Sequence, residues 1–287
     1  MPTTTKSDTI QERPLGRSCM FETSLKIYNA LREVVTKVYH ILKLQKYETP
    51  KGRKEIISHI DAVTLALFKS AHGIATKKSV FDIMAPTCSY KTLVISINRS
   101  LPLLKKIIGF LCLSNRFNCH VIKHTDSTDL PVCSIRKAKS HRTMKKLATW
   151  SKSSKGWFYG LKLHLTVDLK RTIVAVHFTT ATVDEREVFK TMNQDLDGIF
   201  IADAGYISEK LLKDFFIENR RLLLTCLRTN TKKLASKLET ELVKTRMRIE
   251  DNFGRLKQFH NLTSTACRSV QGYLTNYLSS VLAYMLV

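Results

Sequence analysis

The chain has 287 residues, 44% hydrophobic and 25% charged, an ordinary globular composition with enough apolar surface for a sizeable core. Its 47 Lys and Arg against 24 Asp and Glu leave a formal net charge of +23, which points to a polyanionic partner, nucleic acid first and an anionic membrane surface second. No apolar run approaches the roughly 18 residues of a membrane span, Met1 to Arg17 lacks an apolar signal core, and the seven cysteines are scattered without a CxxC pair, so the expectation is a cytoplasmic protein with reduced thiols and neither a disulfide framework nor a zinc ribbon.

Residues 1–22 read as a polar arm. From Leu25 to about Leu113 the pattern is helical. Ser58 with Asp61 three residues on is a capping-box signal before the apolar run from Ala62 to Phe68, and Gly73 closes that helix. Pro86 breaks the next segment. Ser89 opens another helix, in which Leu93, Ile97, Leu101 and Leu104 recur at helical spacing. Short helices with turns between them fit either a helix-turn-helix-like module or a generic bundle. Charge favours the first: no Asp or Glu occurs from Ile83 to Thr125, while Lys91, Arg99, Lys105, Lys106, Arg116 and Lys123 do. Residues 23–117 are therefore expected to be a helical DNA-binding region, with Arg99 a candidate contact.

From Asn118 the pattern changes to strands: Cys119–Asp126, Trp157–Val167 and Thr172–Thr179, the last two joined by a tight turn at Lys170–Arg171. A helix over Asp184 to Asn193 follows, then a short apolar strand, Gly198–Ala202, ending at Asp203. Ser208 caps a helix to Asn219, Arg221–Leu227 is a fifth strand, a long helix runs from Thr231 to His260, and a final one from Val270 to Leu286. This order predicts an α/β domain over 118–287, with a mixed five-stranded sheet in the order of the ribonuclease H-like fold. Cys119, His120 and His124 lie on one predicted strand without a second ligand pair and read as core or surface residues.

Three carboxylates stand out in these basic surroundings. Asp126 is placed at the end of the first strand, and between Asp129 and Asp168 only basic residues carry charge. Asp203 ends a buried-looking strand, where α/β folds put their chemistry. On the long helix Leu238, Leu242, Ile249, Phe253 and Leu256 form the core stripe, while Arg246, Glu250 and Lys257 share another face. Taken singly each has an ordinary alternative: a surface ion pair for Asp126, turn geometry for Asp203, an i, i+4 salt pair for Glu250. Together, three hard oxygen ligands on separate elements suit divalent ions that cut phosphodiesters. Trp157 and Tyr159 offer rings for stacking on a displaced base, with sheet packing as the ordinary role.

Arg246-x3-Glu250-x6-Lys257 has the spacing of the signature around the catalytic Glu in bacterial insertion-sequence transposases of the DDE type, with Val243 where a Tyr often stands. Asp126-Ser127-Thr128 with Pro131-Val132-Cys133, the segment Lys155 to His164, and Asp203-Ala204-Gly205-Tyr206 resemble the family's other blocks in the right order. The chain resembles most closely the family named after insertion sequence 982, from about Ile60 onward. That resemblance implies a transposase that frees a 3′-hydroxyl at the transposon end and joins it to target DNA. It implies two Mg²⁺ ions per site, replaceable by Mn²⁺, with Asp126 bridging them and Asp203 and Glu250 each completing one site. It also implies Arg246 and Lys257 on phosphates, Lys155, Lys162 and His164 toward DNA, a homodimer or larger synaptic assembly, and a place at the nucleoid rather than a membrane. A ribonuclease H-like nuclease without strand transfer, or an inactive DNA-binding relic, carries the same residues.

Overall fold

Caps set the helices of the N-terminal third. In the computed structural model, which describes residues 18–47, 55–216, 220–225, 236–263 and 267–286, five helices come first. They are α1 (Ser18–Ile41), α2 (His59–Ala71), α3 (Lys77–Met84), α4 (Tyr90–Arg99) and α5 (Leu101–Phe117). Most of the expected polar arm lies outside the described residues, and α1 begins within its last part. Ser58 Oγ accepts the Asp61 amide at 3.0 Å, and Thr76 and Ser89 cap α3 and α4 in the same way. Gly73, at φ +59°, ends α2 where a Cβ would stand 3.0 Å from the Phe259 carbonyl oxygen. The helix expected to run through Leu93, Ile97, Leu101 and Leu104 is two helices, because Pro102 suits only the first turn of a new one.

Among the described residues the sheet has six strands rather than five: β1 (Ile122–Pro131), β2 (Thr149–Ser153), β3 (Gly156–Asp168), β4 (Ile173–Thr180), β5 (Gly198–Ala202) and β6 (Arg221–Thr225). The strand missing from the expectation, β2, is short, polar and half-exposed, and it forms a tight hairpin with the start of β3. β1 pairs antiparallel with one edge of β3, and β4 and β2 share the other. β5 then adds parallel to β1, and β6 parallel to β5. The result is a mixed α/β fold consistent with the ribonuclease H-like order. The expected ends of the Ser208 helix at Asn219 and of the fifth strand at Leu227 lie outside the described residues. Helices α6 (Glu185–Met192) and α7 (Glu209–Phe216) cover one sheet face around Phe189, Phe200, Tyr206 and Phe215.

The other face, with Leu161, Leu163, Leu165 and Val167, packs into a core that also takes in α1, α2, α4 and α5. α9 (Met247–Gln258) and α10 (Val270–Leu286) close it. α10 reaches α2 through a buried polar seam: Lys69 Nζ donates to Asn276 Oδ1 at 2.8 Å, and the Ser70 and Ser279 hydroxyls bond at 2.8 Å. Burial lowers the Lys69 pKa to about 8.

The long helix expected over Thr231 to His260 is broken. Residues 231–235 lie outside the described part, and α8 (Lys237–Lys244) stops before a turn at Thr245 and Arg246. There the Thr245 hydroxyl donates back to the Leu242 carbonyl at 2.6 Å, and the Arg246 amide takes the tighter bond to Val243 O at 3.0 Å. The apolar stripe breaks with it: Ile249, Phe253 and Leu256 are buried on α9, but Leu238 on α8 is 69% exposed.

Candidate active site

The end of one strand pairing sets the site. β1 and β5 run parallel from Ile122↔Ile199 to His124↔Ile201. Two residues further along each strand stand Asp126 and Asp203, so both acids follow the same last pair. β1 itself does not end at Asp126, as the sequence suggested, but continues to Pro131 because β3 pairs with it as far as Gly160. Past Asp126, then, β1 is held by β3 on one edge while β5 has finished on the other. Side chains from both sheet faces can reach the strand there. Asp203 turns the chain at the end of β5, its Oδ1 accepting the Ala204 amide at 2.8 Å.

From one side comes the start of α9. Arg246 Nη1 lies 3.2 Å from Asp126 Oδ2, and its Nη2 lies 2.5 Å from Glu250 Oε1. From the other side comes the start of α6, bringing an acid that the sequence reading missed. Glu185 Oε1 accepts the Ser127 hydroxyl at 2.6 Å and the Lys162 ammonium at 2.8 Å. Burial pushes the Glu185 carboxyl up, but the bonds from Lys162 and Ser127 and the Lys162 charge outweigh it and hold the pKa below the ordinary value. The only signal in the sequence was that Asp184–Glu185 is the first acidic pair after Asp168, at a predicted helix start. Nothing in the spacing tied it to Asp126.

Asp126 feels all of these groups. Burial raises its pKa to about 7. The Ser127 amide and Arg246 pull it down, and the Glu185 and Asp203 carboxylates push it further up. The Asp126 side chain is 18% exposed, so like charges there are poorly screened by water.

The other expected residues divide. Lys257 Nζ lies 3.6 Å from Asp129 Oδ1, and its pKa is lowered by burial and by the nearby Lys155, with Asp129 opposing. Lys155 is exposed in the β2–β3 turn. Lys162 points at Glu185, which makes it first a counter-ion rather than a free cation. His164, expected to face DNA, is 1% exposed and bonds to Thr179 Oγ1 at 2.8 Å. Burial lowers its pKa to about 4, so it is a neutral interior residue. It sits there because β3 is covered on both faces. Arg99 ends α4 and pairs with Glu55 at 3.9 Å, and the structure does not bring it to the acidic cluster. Cys119 donates to Arg116 O, His120 accepts the Ile122 amide, and His124 bonds to Thr245, so these three do not form a ligand set.

The donors suit a hard divalent cation: Asp126, Asp203, Glu185 and Glu250 supply carboxylate oxygens, and a cation would offset the repulsion that Glu185 and Asp203 exert on the buried Asp126. Among the described residues, no three acidic, His or Cys side chains converge closely enough to hold one ion, and the Arg246 guanidinium spans Asp126 and Glu250. No helix among the described residues is long and apolar enough to cross a membrane.

Comparison with protein families matches residues 116–270 to the family described as "Transposase DDE domain". The matched segment runs from the end of α5 to the first residue of α10 and contains Asp126, Asp203 and Glu250. No curated protein matches the chain.

Proposed function

The chain belongs to the transposase DDE domain family, whose model spans more than half of it, and from that premise we propose that it is a DNA transposase acting at the ends of a mobile element, akin to the family named after insertion sequence 982. Asp126, Asp203 and Glu250 are the catalytic carboxylates and would hold two Mg²⁺ ions, with Mn²⁺ able to replace them. When bound, the ions supply an activated nucleophile and neutralise charge on the leaving oxygen. The chain's own cations do the rest of the positioning. Arg246, which here pairs with Asp126 and Glu250, would offer its planar, bidentate guanidinium to a phosphate of the DNA. Lys257 and Lys155 hold the backbone next to it. The product strand ends in a 3′-hydroxyl, which is joined to target DNA at the same site.

One observation carries this reading: two acids placed together by the end of the β1–β5 pairing, with the third tied to the first through Arg246. The helical residues 23–117, free of acids from Ile83 onward, suit recognition of the transposon end, helix-turn-helix fashion, with 118–287 as the catalytic domain. Two copies synapsed on paired ends complete the working assembly at the nucleoid.

The test is a labelled duplex bearing the element's terminal repeats, incubated with Mg²⁺ or Mn²⁺ and either the wild type or Asp203→Asn. Nicking and joined product from the wild type, with binding but no nicking from the variant, support the proposal. Nicking without any joined product makes it a nuclease only. A wild type that binds and never cuts, indistinguishable from the variant, makes it a DNA-binding relic.

A further inference from the structure

Beside the candidate active site, between the loop after β1 and the β2–β3 turn, lies a cleft of about 740 Å³. Trp157 and Ile135 line it, with Arg136, Lys137 and Lys155 around them and Asp129 among its walls. Asp129 is three residues from Asp126 along β1, or about 10 Å of strand, and it is paired with Lys257. The cleft thus lies one short stretch of β1 away from the acidic cluster, and Lys257 of α9 meets it at Asp129.

The rings divide by role. Tyr159 and Phe158 are 8% and 5% exposed and do the sheet packing, and Trp150 lies tilted on Tyr159 at 5.5 Å between centroids. Trp157 does none of this. It is 58% exposed, and its indole meets no other aromatic ring among the described residues. Ile135, which also lines the cleft, is 56% exposed. Two large apolar side chains left in water on a cleft wall mark a surface for an apolar ligand face. The charge selects which: from Leu130 to Val167 the sequence has nine Lys and Arg and no acid. A ligand with a flat apolar face and a negative backbone is a nucleotide. In a duplex that face is already stacked, so the base must be unpaired.

We propose that this cleft binds one unpaired nucleotide of the DNA strand leaving the active site, its base stacked on Trp157 and its flanking phosphates on Lys155, Arg136 and Lys137. The proposal rests on the DNA-cutting reading for the identity of the strand but not for the binding itself, so it can be tested without catalysis.

The full chain is mixed, in chelator, with a short oligothymidine carrying one iodinated uracil, irradiated, and digested for mass spectrometry. Affinities for the oligothymidine and for a blunt duplex of equal length are measured for wild type, Trp157→Ala and Trp157→Phe, with circular dichroism as the check on folding. The cross-link maps to Trp157. Trp157→Ala weakens oligothymidine binding at least about fivefold, the low end of what stacking one base contributes, while Trp157→Phe stays within about twofold. Duplex affinity is unchanged. A cross-link elsewhere, wild-type affinity in Trp157→Ala, or equal losses on single strand and duplex overturns the proposal. Because no divalent ion is present, a Trp157-dependent single-strand site in a protein that never nicks DNA sinks only the catalytic reading. Nicking by a protein with no such site sinks only this one.

Discussion

Arg246 reaches Asp126 across 120 residues of sequence, its Nη1 3.2 Å from Oδ2, while its other arm holds Glu250. One guanidinium from the start of α9 therefore ties carboxylates on two separate elements. Removing it leaves both without that partner. Arg246→Ala is expected to lose about 1–3 kcal/mol of stability in chelator at pH 8 and to abolish nicking. Arg246→Lys regains charge but not the two-armed geometry, and recovers only part of either. Urea unfolding and a nicking assay read the two effects. A variant as stable and as active as wild type removes Arg246 from the site.

The position of Asp126 gives the protein a pH signature. Its carboxyl titrates near 4 in the unfolded chain and at about 7 when folded. Between those values the folded state binds the extra proton, so this contribution to stability is complete below pH 4 and is lost as pH rises through 7. In chelator, Asp126→Asn should gain on the wild type by on the order of 2–3 kcal/mol between pH 5 and pH 8, since each unit of displacement titrated in that range is worth about 1.4 kcal/mol. Parallel melting curves across that range would show that the carboxyl is not displaced.

Glu185, Ser127 and Lys162 form one network under β1. Glu185→Gln and Lys162→Met should each destabilise by about 1–3 kcal/mol, each leaving a charge without its counter-ion, and the double variant should cost less than their sum. A coupling energy of about 0.5–3 kcal/mol from the double-mutant cycle is expected. Strict additivity would mean the two side chains do not interact in solution.

At Gly160, paired with Pro131, β1 leaves no room for a side chain on β3. A Cβ there would stand 2.1 Å from the Leu130 carbonyl oxygen, a backbone atom that cannot swing aside. Gly160→Ala should cost about 3 kcal/mol and reduce nicking, because the strand that must move carries Asp126. Unchanged thermal stability would show that the strands are looser at this point than they look.

Much of this architecture was legible because its signals are local. Ser58 and Ser89 cap helices through their own first turns, and Gly198–Ala202 and Val270–Leu286 fall where the apolar pattern put them. The i, i+4 spacing that joins Arg246 to Glu250 survives the turn between α8 and α9. What escaped depended on distant partners. β2 has no apolar alternation of its own and exists because β3 pairs with it. His164 alternates like an outward residue but is covered by a second layer. Glu185 comes beside Asp126 through its bond to Ser127, 58 residues away, which no spacing along the chain records.

The seam between α2 and α10 also sets the order of events during synthesis. Lys69 and Ser70 are made some 200 residues ahead of their partners Asn276 and Ser279, 207 and 209 positions further along the chain. While the ribosome is still translating, the faces of α2 and α5 that α10 covers stay open to water and to other chains. The N-terminal helices can form locally, but their core closes only after α10 has emerged. Premature termination anywhere before α10 therefore releases a sticky fragment rather than a small DNA-binding protein.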